Sequence, residues 1–281
     1  MLATTPAMAS FAPLGAWIER EGGLVGPIRV STRDGLRGLF VTKGVKAGEP
    51  LLAVPRCCTL HSASDVEDAL LRPHERLMLR LLRAREGAAL DPAGGLSHYV
   101  ASLPESLPML RDWPDASLDA LSQRGAAARS LAQAALAQRG AAAASCDRVA
   151  GRLAGREGRG DRAALLWAEA VVRSRALDTS PDIGERALQL VPIFDMCNHE
   201  PAGDDSDARV VEITSDGVAV LTAPTALKRG DEVRFAYAPG DTGGGNQQLL
   251  LDYGFGVRAD GTALSVAPPH DDAAVAELLE E

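Results

Sequence analysis

Between positions 195 and 199 the sequence reads Asp-Met-Cys-Asn-His, which sets a carboxylate, a thiol, an amide and an imidazole in one short run. A zinc site needs three or four convergent ligands at suitable spacing. Asp195, Cys197 and His199 lack such company, because His61, His74, His98 and His270 stand in no ligand-like pattern. A thiolate-imidazole pair is also a poor reading, since residues two apart on a strand or turn seldom hold the geometry that activation requires. Taken alone, the run reads as a loop closing a strand, with Asn198 and His199 bonding backbone groups and Cys197 packed in the core.

Chemistry-bearing residues gather again downstream. The chain has only three Trp, three Tyr and five Phe, yet Phe235, Tyr237, Tyr253 and Phe255 fall between 235 and 255. As residue types they fit a strand-packing cluster equally well. Arg175, in "RSRAL", closes a helical pattern, where a surface ion pair is ordinary. Between 195 and 216 stand Asp195, Glu200, Asp204, Asp205, Asp207, Glu212 and Asp216 against Arg209. Such a run is usually a solvated loop, and it could also steer a basic target segment.

These residues must be positioned by strands at both ends of the chain and helices between. "IRVSTRDGLRGLFVTKGVKAGEPLLAVP", 28–55, has short apolar runs broken by Asp-Gly, Lys-Gly and Ala-Gly, which predicts a small β-meander. "SDVEDALLRPHERLMLRLLRARE", 64–86, repeats apolar residues at helical spacing, with Ser64 or Asp65 as cap and an interruption near Pro73. The Ala- and Arg-rich stretch 115–165 carries glycines at 125, 140, 151, 155, 158 and 160, which predicts helices with weak joints. Over 161–177, Leu165, Ala168, Val172 and Ala176 form an apolar stripe led by Asp161 as cap. Strand patterns return after 185, with Asp216-Gly217 as a hairpin turn and "DEVRFAY" as a further strand. The order gives one β-rich domain carrying a helical insertion, an α+β class.

The chain has 281 residues and 46% apolar content, enough for a substantial core. Its formal net charge of -9 disfavours nucleic acid and acidic membrane surfaces. No apolar run approaches a membrane span, and no secretory leader is visible at the start. An intracellular protein is expected, cytoplasmic or nuclear with a plastid left open. Its four cysteines are read as free thiols and the chain as a monomer.

"VPIFDMCNH", followed by a hairpin, "RGDEVRFAY" and "NQQLLLDYGF", resembles the C-terminal half of a SET-domain protein methyltransferase. The class it is most similar to is that of the Rubisco large-subunit lysine methyltransferase and the actin-histidine methyltransferase. "RGLFVTKGVKAGEPLLAVP", 37–55, is similar to the first SET segment, and "WAEAVVRSRAL", 167–177, to the helix before the Asn-His motif. The resemblance implies an N-terminal extension at 1–27 and a first SET half at 28–60. A helical insertion at 61–180 and a second, pseudoknot-like half at 181–258 follow, then a short acidic tail at 259–281. It also implies S-adenosyl-L-methionine as cofactor and no metal. By resemblance, Arg37, Gly38, Leu39, Asn198 and His199 hold the cofactor and Tyr237 is the catalytic tyrosine. Arg175, Asp195, Tyr253 and Phe255 are implied on the substrate side.

Two departures bear on that implication. Ala238 follows Tyr237 where the class usually has Gly, and "PGDTGGG" lengthens the next loop. Members of the class continue into a helical substrate-binding domain, where this sequence has only its tail, so the substrate is not carried over. The resulting expectation is methyl transfer to a lysine of a non-histone protein with a basic target segment. Histidine is the near variant, and a catalytically weak SET-like binding module is the alternative from another class.

Overall fold

The computed structural model describes residues 11–33, 36–63, 68–90, 94–153, 161–179, 187–200, 211–237, 245–258, 263–266 and 272–279. Its helices are α1 (Phe11–Arg20), α2 (Pro73–Leu90), α3 (Gly95–Ser102), α4 (Asp115–Ser122), α5 (Ala126–Leu153), α6 (Arg162–Arg175), α7 (Gly245–Asp252) and α8 (Asp272–Leu278). Before the long helical stretch come strands β1 (Leu24–Val25), β2 (Ile28–Arg33), β3 (Leu36–Val41), β4 (Pro50–Val54) and β5 (Leu60–His61). After it come β6 (Leu177–Asp178), β7 (Leu188–Leu190), β8 (Asn198–His199), β9 (Val211–Ile213), β10 (Ala219–Thr222), β11 (Glu232–Phe235), β12 (Phe255–Val257) and β13 (Ala263–Ser265). The fold is α+β, as the sequence pattern implies.

The chain forms two compact units, each drawn from two stretches. The first takes its described residues from Met1–Pro104 and Arg175–Pro239, the second from Glu105–Ser174 and Gly240–Glu281. Helices α2 and α3 therefore group with the sheets, while α4, α5 and α6 up to Ser174 belong to the second unit.

The first unit holds three small sheets, with strand orders β1-β4-β10-β9, β2-β3-β11-β8 and β5-β7-β6. Strands β2 and β3 form a hairpin registered from Ile28 opposite Val41 to Arg33 opposite Leu36. The meander expectation fails at β4, which pairs with β1 and with β10, almost 170 positions on. A partner that distant outcompetes the neighbouring strand, and local pattern carries no trace of it. Asp216-Gly217 does turn the β9–β10 hairpin, with Gly217 at φ 83, a conformation open to glycine at little cost.

Helix α2 begins at Pro73 and is not interrupted there. Proline suits the first helical position, where no intrahelical N–H partner is needed, and Glu75 Oε2 accepts from the Arg72 N–H at 3.1 Å. The expected caps Ser64 and Asp65 lie outside the described residues. Helix α6 starts as the pattern predicts, its Ala163 N–H donated to Asp161 Oδ1 at 3.2 Å.

Weak joints are not seen within α5, which runs 28 residues through Gly140 and Gly151. Its buried face, with Leu131, Ala135, Ala142, Cys146, Val149 and Leu153, keeps helical spacing across both glycines. Tertiary burial on that face outweighs their propensity cost of about 1 kcal/mol each. Among the described residues a joint falls earlier, at Gly125 with φ 135, and Gly155, Gly158 and Gly160 lie outside them. In the second unit this helix packs with α4, α7 and α8 around Leu110, Trp113, Leu250 and Val275, and the Trp113 indole donates to the Val266 carbonyl at 3.2 Å.

Candidate functional site

Strand β3 is central in its sheet, paired with β2 on one edge and β11 on the other. Strand β11 in turn runs parallel to β8, with Arg234 opposite Asn198 and Phe235 opposite His199. This crossing carries the Asn-His pair beside Arg37 to Leu39, from the far end of the chain. The approach to β8 is strained: Ile193 has φ 71, a left-handed conformation that a β-branched side chain rarely adopts, before a short 3-10 turn over Phe194–Met196. Such a residue stores about 1–3 kcal/mol and persists only where its surroundings over-determine it.

The Asn198 amide donates to the Arg37 carbonyl at 3.0 Å and to Glu232 Oε1 at 2.6 Å. Both partners are pure acceptors, which fixes Nδ2 toward them and leaves Oδ1 to accept from elsewhere. Glu232 is itself gripped by Arg234, through Nε at 2.8 Å and Nη2 at 2.5 Å. Gly38 is required here, because a Cβ at that position would overlap the Glu232 carboxylate and crowd the Asn198 amide. Tyr237 is fixed at two points: its hydroxyl donates to the Cys197 carbonyl at 2.6 Å, and its N–H donates to His199 Nδ1 at 3.2 Å. The two rings lie 5.3 Å apart, and burial pushes the imidazole pKa below the ordinary value of His. His199 is therefore neutral, with its proton on Nε2.

Beside this cluster Asp195 is 2% exposed and faces Arg175 Nη1 at 3.6 Å, which also donates to the Asp195 backbone carbonyl. The buried Tyr99 hydroxyl donates to Asp195 Oδ2 at 3.3 Å, and Arg37 Nη1 donates to the Ser102 carbonyl at 2.9 Å. Burial pushes the Asp195 carboxyl up, against the opposing pull of Arg175, Arg37 and Tyr99. Burial, then the Arg175 charge, lowers Arg37. Among the described residues Asp195 Oδ1 and Arg175 Nε have no hydrogen-bond partner, so a buried acceptor and a buried donor stand unmet in one place. That arrangement fits a ligand that brings an ammonium group and a carboxylate or carbonyl oxygen.

Asp195 is thus no part of an acidic rim, and Asp204, Asp205 and Asp207 lie outside the described residues. Cys197 is buried and its thiol is pushed well up by burial, as suits packing rather than nucleophilic work. Arg37, Gly38, Leu39, Arg175, Asp195, Asn198, His199 and Tyr237 all belong to the first unit. Tyr253 and Phe255 belong to the second, their rings 6.2 Å apart across Gly254, and burial followed by Asp252 pushes the Tyr253 phenol up to about 12. Glu232, Tyr99 and Ser102 were not legible as site residues. Only the alternation of Glu232 with Arg234, which puts both on one strand face, offered a signal.

No protein-family model and no curated protein matches the chain. Solved structures do match. The SET domain of LSMT bound to lysine and AdoHcy aligns with a TM-score of 0.72 at 22% identity, covering 89% of this chain and 57% of that one. Rubisco LSMT bound to sinefungin and monomethyllysine aligns at 0.71 and 22%, covering 91% and 57%. Rubisco LSMT bound to AdoMet gives 0.71 and 19%, covering 92% and 60%. The chain therefore spans somewhat more than half the length of these structures. Over nearly all of its own length, it has the fold of a SET domain.

Proposed function

We propose that the protein is an S-adenosylmethionine-dependent protein N-methyltransferase whose target is a lysine side chain of a non-histone protein. The observation that carries the reading is the Tyr237 phenol, held on the Cys197 carbonyl beside the Asn198-His199 strand in a SET fold. Similar structures bind AdoMet, AdoHcy and lysine, which supports both the cofactor and the amine target.

The cofactor, when bound, supplies a methyl group activated by a sulfonium. The chain's own residues have alignment and electrostatics to provide. The Asn198 Oδ1 acceptor, the backbone at His199 and strand β3 at Arg37 to Leu39 suit the cofactor's polar groups. Tyr237, its proton committed to Cys197, keeps lone pairs that can accept weak C–H···O bonds and orient a polarised methyl. On the target side, Asp195 Oδ1 suits an arriving ammonium and Arg175 Nε a carbonyl or carboxylate oxygen. A lysine must lose a proton from a pKa of roughly 10.4 before it attacks, which desolvation assists. A neutral histidine would need no such step.

The test combines calorimetry with AdoHcy and transfer of labelled methyl from S-adenosylmethionine into a lysate, located by mass spectrometry. Wild-type protein binds AdoHcy and labels lysine, and Tyr237→Phe loses about 100-fold in turnover with its AdoHcy affinity retained. Absence of AdoHcy binding sinks the reading. Binding without transfer, indifferent to Tyr237→Phe, identifies a binding module instead.

A further inference from the structure

Helix α3 buries a polar set, Ser97, Tyr99 and Ser102, where an aliphatic face would be expected of a core helix. Two of the three reach the candidate site. The Tyr99 hydroxyl donates to Asp195 Oδ2 at 3.3 Å, and the Ser102 carbonyl receives Arg37 Nη1 at 2.9 Å. Ser102 Oγ donates back to the Tyr99 carbonyl at 2.7 Å, closing the last turn and tying the two anchors together. At its other end α3 is pinned on α1, where Gly95 lies so close to the Trp17 indole that a Cβ would overlap the ring. A short helix fixed at one end thus touches both strand β3 and the Asp195 turn.

We propose that Tyr99 is a positioning residue, whose hydroxyl fixes the Asp195 carboxylate against Arg175 while the same helix holds Arg37 in register with it. The consequence for turnover rests on the methyltransferase reading, whereas the hydrogen bond itself does not. The groups facing Asp195 are Tyr99 from α3, Arg37 from β3 and Arg175 from the end of α6, with the Cys197 thiol following on its own segment. Burial and the Asp195 charge keep the Tyr99 phenol protonated, so it can only donate to the carboxylate. Burial opposes ionisation of Asp195, whereas Arg175, Arg37, Tyr99 and a backbone hydrogen bond favour it. Removing the hydroxyl therefore raises the pH at which Asp195 gives up its proton.

Tyr99→Phe keeps the ring and deletes the donor. The Asp195 titration midpoint, followed by the 13C shift of its carboxyl in the ligand-free protein, should move upward. A loss of packing alone would leave it in place, and an unmoved midpoint overturns the proposal. Turnover should fall about tenfold, the scale of one hydrogen bond to a charged group. In an Asp195→Ala background, which removes the acceptor, the same change should cost nothing further, and a fully additive loss would overturn the positioning role. A shifted midpoint in a protein that neither binds AdoHcy nor transfers methyl supports the Tyr99–Asp195 link and sinks the methyltransferase reading alone.

Discussion

A single carboxylate decides what the Asn198 amide can offer a ligand. Glu232 and the Arg37 carbonyl take both Nδ2 protons, so the side chain presents an acceptor, and Arg234 holds Glu232 in place for that task. Glu232→Gln keeps the shape and removes the charge. A hydrogen bond to a charged group contributes about 1.5–3 kcal/mol, so AdoHcy affinity should fall about tenfold or more by calorimetry, with the far-ultraviolet circular dichroism unchanged. Unaltered affinity would show that the orientation of Asn198 is set without Glu232. The sequence made Asn198 and Tyr237 conspicuous through their neighbours, but Glu232 is an ordinary strand acid until β8 arrives beside β11. Tyr99 is hidden for the same reason: its partner stands 96 positions away.

Elements are positioned by what glycine permits as much as by side chains. Gly95 lets α3 lie on Trp17, whereas Gly140 on α5 has open space where a Cβ would go. Two alanine substitutions should therefore act in opposite directions. Gly95→Ala forces the indole or the helix aside and should lower unfolding free energy by about 1–3 kcal/mol. Gly140→Ala gains helix propensity and should raise it by up to about 1 kcal/mol. Urea titration of both variants measures the pair, and equal or same-signed shifts would contradict the packing argument.

Legibility divides along the same line. Caps and turns such as Asp161, Pro73 and Asp216-Gly217 act within a few positions, so local pattern marks them, even where it misplaced the start of α2. The partners of β4 and β8 act across more than a hundred and across some thirty-six positions respectively, and only the assembled sheets reveal them.

At the scale of the whole chain, the second unit has its own charge centre, far from simple in its energetics. Glu169 is fully buried, accepts from Arg173 at 2.8 and 3.0 Å, and is ion-paired with the buried Arg111 guanidinium. Arg173 also reaches Asp252 at 3.3 Å, the residue before Tyr253. Replacing a whole buried network by apolar groups is often nearly neutral, but removing one partner strands a charge in a low-dielectric interior. Glu169→Gln leaves Arg111 facing only the half-exposed Asp112 carboxylate at 3.6 Å among the described residues, and should cost about 3–5 kcal/mol of unfolding free energy, read by urea titration. Every candidate cofactor residue belongs to the first unit. AdoHcy affinity of the variant, measured well below its unfolding transition, should therefore match the wild type. A variant that stays folded yet loses AdoHcy would mean that the second unit's charge centre shapes the cofactor site, and the division of labour argued from residue membership would be wrong.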